Sequence, residues 1–184
     1  MQKLVVLSGL PATGKSTVGK AIADALDVPH VDKDELLEQL FESHGTGDVE
    51  HRKTLSRMAD EHLRRAVAQW PRAIVTSWWR HPASSTQTGT EPWWLSAQDL
   101  AVVEVYCTCP ARIAATRFLG RRRHRGHLDA RWNYEELLRW LLQQESHGPI
   151  TSNALVVSTE QPVTHEFIED LVVSISRRLV GREA

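Results

Sequence analysis

The stretch Gly9-Leu10-Pro11-Ala12-Thr13-Gly14-Lys15-Ser16 matches G-x-x-x-x-G-K-[ST] in full, and no other feature of the chain constrains its fold as much. Leu4-Val5-Val6-Leu7-Ser8 before it reads as a short buried strand, and Thr17 to Leu26 after it reads as a helix. In a strand–loop–helix setting the glycines let the backbone wrap closely round phosphate oxygens, and the N–H groups of the helix start point at them. The expected cradle is Gly9, Ala12, Thr13, Gly14, Lys15, Ser16 and Thr17. Lys15 reaches the β- and γ-phosphates of a nucleoside triphosphate, and the Ser16 hydroxyl ligates Mg²⁺. The competing reading, a plain glycine turn, is the weaker one in this context.

Strand-like and helix-like segments alternate along the chain, which predicts an α/β fold with a parallel sheet between two helical layers. His30-Val31 ends a short second strand, and Asp34 to Phe41 reads as a helix. Asp48 caps a long polar helix running to Gln69. Ala73–Ser77, Leu100–Cys107 and Leu155–Val157 read as three further strands. Pro110 opens a helix, as proline at a first helical turn does. Tyr134–Glu145 and Val163–Leu179 complete the set. With no repeat, low-complexity tract or linker, the 184 residues read as one domain over 1–184.

The first strand starts at the N-terminus and leaves no room for a leader, and no apolar run is long enough to span a membrane, so a cytoplasmic protein is expected. The net charge of −1 gives no bulk basic character to attract nucleic acid. Cys107 and Cys109 sit two apart in an apolar strand, so both should face one side of the sheet. Their spacing is not that of a zinc site, and buried free thiols are expected.

Ligands of such sheets collect beyond the carboxyl ends of the strands. Transfer of a phosphoryl group to a hydroxyl needs a carboxylate to orient the hydroxyl and take its proton. Asp32 and Asp34 stand at the end of the second strand, with Asp34 favoured as the base and Asp32 in reserve. The alternative is that either one only caps the following helix. Farther on, seven arginines and one acid, Asp129, lie between Pro110 and Arg131. Arg117, Arg121 and Arg125 recur every four residues, so a helix would place them on one face, with Arg122, Arg123, His124 and His127 adding to the charge. Such crowded like charges repel, and a bound polyanion would relieve them. A solvated basic face or a nucleic-acid patch is the alternative.

Trp78-Trp79 and Trp93-Trp94 bracket a polar loop over residues 81–92. Neighbouring residues of a strand point oppositely, so at most one of Trp78 and Trp79 lines a cleft, where an indole would stack on a sugar, a base or another flat acceptor. Arg80 and His81 beside them suit an anionic group or a hydroxyl. The competing reading packs these tryptophans onto the body, while a loop of this length is more often functional or mobile than a plain connector. His51, Arg52 and Arg57, at the start of the long helix, read as a solvated face, with a position facing the acceptor as the alternative.

The stretches G-L-P-A-T-G-K-S-T and H-V-D-K-D-E-L-L resemble the P-loop kinases that include chloramphenicol phosphotransferase, zeta toxins and the kinase domain of polynucleotide kinase. The resemblance implies a three-layer, nucleoside-monophosphate-kinase-like fold with strand order 2-3-1-4-5. It implies ATP and Mg²⁺ as cofactors, a small-molecule hydroxyl acceptor and Asp34 as base. It also implies an arginine lid over about 117–131, in which Arg117, Arg121 and Arg125 close on the transferring group, and an adenine site near Thr159–Pro162. One departure stands out: the third strand ends Ile74-Val75-Thr76-Ser77-Trp78-Trp79 with no Walker-B acid. That argues against a motor-type ATPase and leaves Mg²⁺ to Ser16, phosphate oxygens and waters, with Asp32 in the outer shell. A polynucleotide 5′-hydroxyl kinase, a toxin-like kinase acting on a nucleotide-sugar and a non-catalytic nucleotide switch stay open as alternatives.

Overall fold

Five parallel strands and six α-helices make up the computed structural model, which describes residues 1–84 and 87–180. In chain order they are β1 (Gln2–Ser8), α1 (Lys15–Leu26), β2 (His30–Asp32), α2 (Lys33–His44), α3 (Val49–Val67), β3 (Arg72–Thr76), β4 (Leu100–Thr108), α4 (Ala111–Gly120), α5 (Tyr134–Glu145), β5 (Leu155–Ser158) and α6 (His165–Val180). The strands lie in the order β2-β3-β1-β4-β5, as the resemblance implies. One row of register crosses the whole sheet: Asp32 pairs with Thr76, Thr76 with Leu7, Leu7 with Val105 and Val105 with Leu155. β2 and β3 end on this row, β1 runs one residue past it, and β4 and β5 run three residues past it.

Alternation along β1 explains the layers. Val5 and Leu7 face one side, against Val18 and Ile22 of α1 and Ile168 and Ile175 of α6. Leu4 and Val6 face the other, against Leu63 and Val67 of α3. Both faces are covered, which is why the strand reads as an unbroken apolar run. A third cluster joins α4 to α5 through Ala114, Phe118, Leu137 and Leu141, and takes in Leu10 of the phosphate loop. A fourth joins α2 to α3 through Leu37, Phe41 and Leu55. Asp48 caps α3 by accepting from the His51 N–H, as its position predicts, and Asn133 caps α5 in the same way. Among the described residues no helix is long and apolar enough to cross a membrane.

Two expectations about local geometry need correcting. The arginine segment does not continue α4. The helix stops at Gly120, a poor helix former, and Arg121 is extended (φ −78°, ψ 147°), while Arg125 opens a short 3₁₀ turn. Arg117, Arg121 and Arg125 therefore share no helical face. The two cysteines are buried free thiols, as expected, but not on one side of the sheet. Cys107 belongs to the α1–α6 core, whereas β4 has ended at Thr108 and Cys109 packs with α4 and α5.

The tryptophan-bearing connection between β3 and β4 is tied down by a buried polar relay. Lys33 lies 2.7 Å from Asp60, and the Thr90 hydroxyl donates to the same Asp60 oxygen at 2.7 Å. Ser77 then donates to Thr90 at 2.6 Å. Backbone bonds from Thr90 N–H to Trp78 and from Arg80 N–H to Thr90 close the loop's base. Ser85 and Thr86 of this loop lie outside the described residues.

Glu104, only 3% exposed, plays a matching part on the other side. It accepts from the Ser8 hydroxyl and from the Ile150 and Thr151 N–H groups at 2.9 and 2.7 Å, joining the approach to β5 to the residue before the phosphate loop. Glu104→Gln replaces an acceptor with an N–H₂ donor facing N–H donors. It should cost about 1–3 kcal/mol of stability, read as a lower urea midpoint with an unaltered slope.

Candidate active site at the carboxyl edge of the sheet

The phosphate loop takes the shape its sequence predicts. Gly9 (φ 125°), Ala12 (φ 63°) and Gly14 (φ 81°) have left-handed backbones. At Gly9 glycine is obligatory, because a Cβ there would sit 2.1 Å from the Cys107 carbonyl oxygen. Left-handed residues alternating with right-handed ones form an anion-binding concavity, and α1 begins at Lys15 with its positive dipole end toward it. The loop is braced from both sides. Thr13 donates its hydroxyl to Leu10 O at 2.8 Å, and Thr159, from beyond β5, donates to Thr13 O at 2.7 Å. Lys15 Nζ donates to Leu10 O at 2.7 Å and Gly9 O at 3.1 Å. Burial is the main influence on this ammonium and lowers its pKa to about 8.

The two aspartates after β2 divide their tasks. Asp32 is buried; one oxygen accepts from the Asp34 N–H at 2.9 Å and so caps α2, while the other accepts from the Ser16 hydroxyl at 2.6 Å. Burial, then the charge of Asp34, raise its pKa above the ordinary carboxylate value. Asp34 does no capping. Its side chain keeps 54% of its surface open toward the cleft and lies 2.5 Å from Arg123. Burial pushes its pKa up, but Arg123, His127, Lys15 and Arg121 together outweigh burial and hold it below the usual value. Asp34 is thus ionised at neutral pH and open to the cavity.

Residues 121–131 fold back onto α2. Arg121 and Arg123 share Asp129, at 3.1 and 3.3 Å. His127 Nε2 lies 2.8 Å from Glu38, and His124 lies 3.1 Å from Glu42. Phe41 stacks on His124 and meets His127 edge-on. Gly126 permits this approach, since a Cβ there would fall 2.6 Å from the Phe41 ring. On the opposite side Arg117 donates to Glu160 O at 3.1 Å.

These elements enclose a cavity of about 930 Å³. Of the residues predicted from sequence, Ala12, Gly14, Lys15, Ser16, Thr17, Asp32, Asp34, Trp78, Arg117 and Arg121 line it. Gly9 and Thr13 stand behind the loop as its supports. Three predicted residues lie elsewhere. Arg125 is exposed and outside the lining, and Arg123, two residues earlier, takes the place beside Asp34. Trp79 is 4% exposed, donates its indole N–H to Leu7 O at 2.9 Å and packs in the core, because its neighbour Trp78 takes the cleft side. Arg80 turns away to Glu91 at 3.0 Å and lines no part of this cavity.

Lining residues outside the predicted set include Arg52, Arg131, Trp132 and Trp140. Arg52 carried a signal, since 52, 55 and 59 follow the inward stripe of α3, where Leu55 and Ala59 are buried. Trp140 stands three residues after buried Leu137 and one before buried Leu141, on the inward side of α5. Burial, then Arg123, lower the Arg52 guanidinium below its ordinary pKa, and Asp34 and Asp129 act against that.

A family model described as an AAA domain matches residues 4–141. Shikimate kinase of Corynebacterium glutamicum is 56% identical over 36 residues, which cover 20% of this chain and 21% of that protein. The match thus spans about a fifth of the curated relative's length. Among solved structures, a candidate kinase of Chloroflexus aurantiacus superposes with a TM-score of 0.78 at 23% identity, over 96% of this chain and 98% of its own. A gluconokinase of Sinorhizobium meliloti superposes with a TM-score of 0.61 at 18% identity, over 97% of this chain and 94% of its own. These structural likenesses establish the fold.

The lowered Lys15 pKa gives a calorimetric test of the cradle. A triphosphate beside the ammonium raises its pKa again, so at pH values above about 8 binding must take up a proton. Affinity should be full below that pH and fall as pH rises past it. Titration of ATP at pH 9 in buffers of different ionisation enthalpy should show uptake approaching one proton per site. Lys15→Met should show none.

Proposed function

The chain belongs to the AAA-domain family, and we propose that it is an ATP- and Mg²⁺-dependent phosphotransferase that moves the γ-phosphoryl group to a hydroxyl of a small molecule. One observation carries this reading: an ionised carboxylate, Asp34, opens into the same cavity as the phosphate loop and its lysine. A nucleotide switch has no use for a base in that place. Relatives named as kinases add support. The end of β3 adds more, since Thr76-Ser77 carries no acid of the kind a motor-type ATPase uses. Arg121 and Arg123 are engaged with Asp129 and Asp34 rather than laid out along a surface, which favours a small acceptor over a polynucleotide.

In this reading the acceptor oxygen attacks the γ-phosphorus and its proton passes to Asp34. The bond from the γ-phosphorus to the bridging oxygen breaks, and ADP leaves. Lys15, Arg121 and Arg123 offset the charge spread over the phosphoryl oxygens, and Arg117 serves from the α4 side. Residues 117–131 act as the lid, docked on α2 through His124, His127 and Phe41. Ser16 Oγ and the Asp32 carboxylate, 2.6 Å apart at the cavity wall, are hard oxygen donors of the kind Mg²⁺ takes. Mg²⁺ bound there would neutralise charge on the β- and γ-phosphates.

Acceptor-dependent ADP release should fall about 10²–10⁴-fold in Asp34→Asn, with ATP binding retained. Equal turnover in both proteins would reject Asp34 as the base. Asp32→Asn should raise the Mg²⁺ concentration for half-maximal rate by about 10–100-fold. A Mg²⁺ titration indistinguishable from wild type would remove Asp32 from the metal's surroundings.

A further inference from the structure

Three indoles meet on the wall of the cavity that Asp34 also lines. Trp78 follows β3, Trp132 precedes α5 and Trp140 lies within it, and all three line the cavity. Trp78 meets Trp140 edge to face with ring centroids 5.2 Å apart. Trp132 lies 5.6 Å from Trp140 at an interplanar angle of 37°. Each keeps part of its surface open, whereas Trp79, the next residue along, is sealed into the core.

The sheet order tells which ligand this wall faces. β3 stands between β2, which delivers Asp34, and β1, which delivers the phosphate loop. Thr159, Gln161 and Pro162, which line the other side of the cavity, follow β5, three strands from β3. At ordinary strand spacing that is about 14 Å. Trp78 thus stands between the strand ends that deliver Asp34 and the phosphate loop, with Trp140 in contact with it, and about 14 Å of sheet separates it from β5.

An indole wall presents broad apolar area and a π-face, which suit a flat, apolar ring. An open-chain polyol has no flat face to lay on it and, pressed against it, would lose water from its hydroxyls and gain few hydrogen bonds. We propose that Trp78, Trp132 and Trp140 select an acceptor alcohol carried on a planar aromatic body, with the ring stacked on one of Trp78 and Trp140 and edge-on to the other, and the hydroxyl directed at Asp34. This inference rests on the phosphotransferase reading above. The acceptor oxygen gains the γ-phosphoryl group, its proton goes to Asp34, and ADP departs with the electrons of the broken bridging bond.

The test compares ADP release by the full chain with Mg²⁺-ATP and two acceptor classes: 1-phenyl-1,2-ethanediol and adenosine against gluconate and glycerol. Binding of each is read separately by quenching of tryptophan fluorescence. The aromatic class should give kcat/KM at least tenfold higher than the polyols. Trp140→Ala should raise its KM tenfold or more, while Trp140→Phe, which keeps a stacking ring, should stay within about threefold of wild type. Wild-type selectivity settles the matter even if Trp140→Ala folds poorly. Efficient, Asp34-dependent turnover of a polyol, unmoved by Trp140→Phe or Trp78→Ala, would overturn the aromatic acceptor and leave the phosphotransferase standing. Aromatic quenching lost in Trp78→Ala, with no ADP release for either class, would overturn the phosphotransferase instead. Absence of any quenching by the aromatic alcohols would overturn the stacking wall itself.

Discussion

One row of backbone pairing, Asp32–Thr76–Leu7–Val105–Leu155, sets the geometry on which the rest of the molecule depends. Slipping any strand by one residue would turn its side chains to the opposite face, and both faces here are packed with apolar residues. The register is therefore fixed by the core, far from any ligand. Everything that follows the row emerges at one edge: Asp34 after β2, Trp78 after β3, the phosphate loop after β1 and Thr159 after β5. The Trp79 indole on the Leu7 carbonyl ties the segment after β3 to its neighbour β1, and the Thr159 hydroxyl on the Thr13 carbonyl ties the segment after β5 to the phosphate loop.

Charge is the second organising term. Residues 110–131 hold seven arginines and a single acid, and that acid, Asp129, is shared by Arg121 and Arg123. Arg123 uses a second nitrogen on Asp34, so this carboxylate is held ionised by the very segment that lies over it. Asp32, which lacks such a partner and is buried, moves the other way. Lys15 loses part of its proton affinity to burial. A polyanion would reverse the cost on Lys15 and ease repulsion among the arginines, so the cleft is arranged for a ligand more negative than its own acids.

Much of this was legible in the sequence because it is local. The phosphate loop, the strand before it and the helix after it are contiguous, and glycine at positions 9 and 14 signals the left-handed backbone directly. The caps at Asp48 and Asp32 and the span Tyr134–Glu145 follow from short-range chemistry as well. The arginines misled because a four-residue spacing has meaning only inside a helix. Gly120 ended α4, and ion pairs with Asp129 and Asp34 chose the path of the chain beyond it. The tryptophans misled in another way. Alternation said that one of Trp78 and Trp79 must face the core, but which one depends on the side from which α3 covers β3.

The sequence by itself determined the α/β alternation, the anion cradle and the presence of a carboxylate at the end of the second strand, since each is written in residues a few positions apart. The tertiary structure decided which charged groups meet. Arg123 rather than Arg125 reaches Asp34, Arg52 leaves the solvated face for the cleft, and Trp132, just before α5, and Trp140, within it, join Trp78. Arg123 and Asp34 are 89 residues apart in number and Trp78 and Trp140 are 62 apart, and no local spacing encodes these meetings. They are set where packed layers and opposite charges bring the segments together.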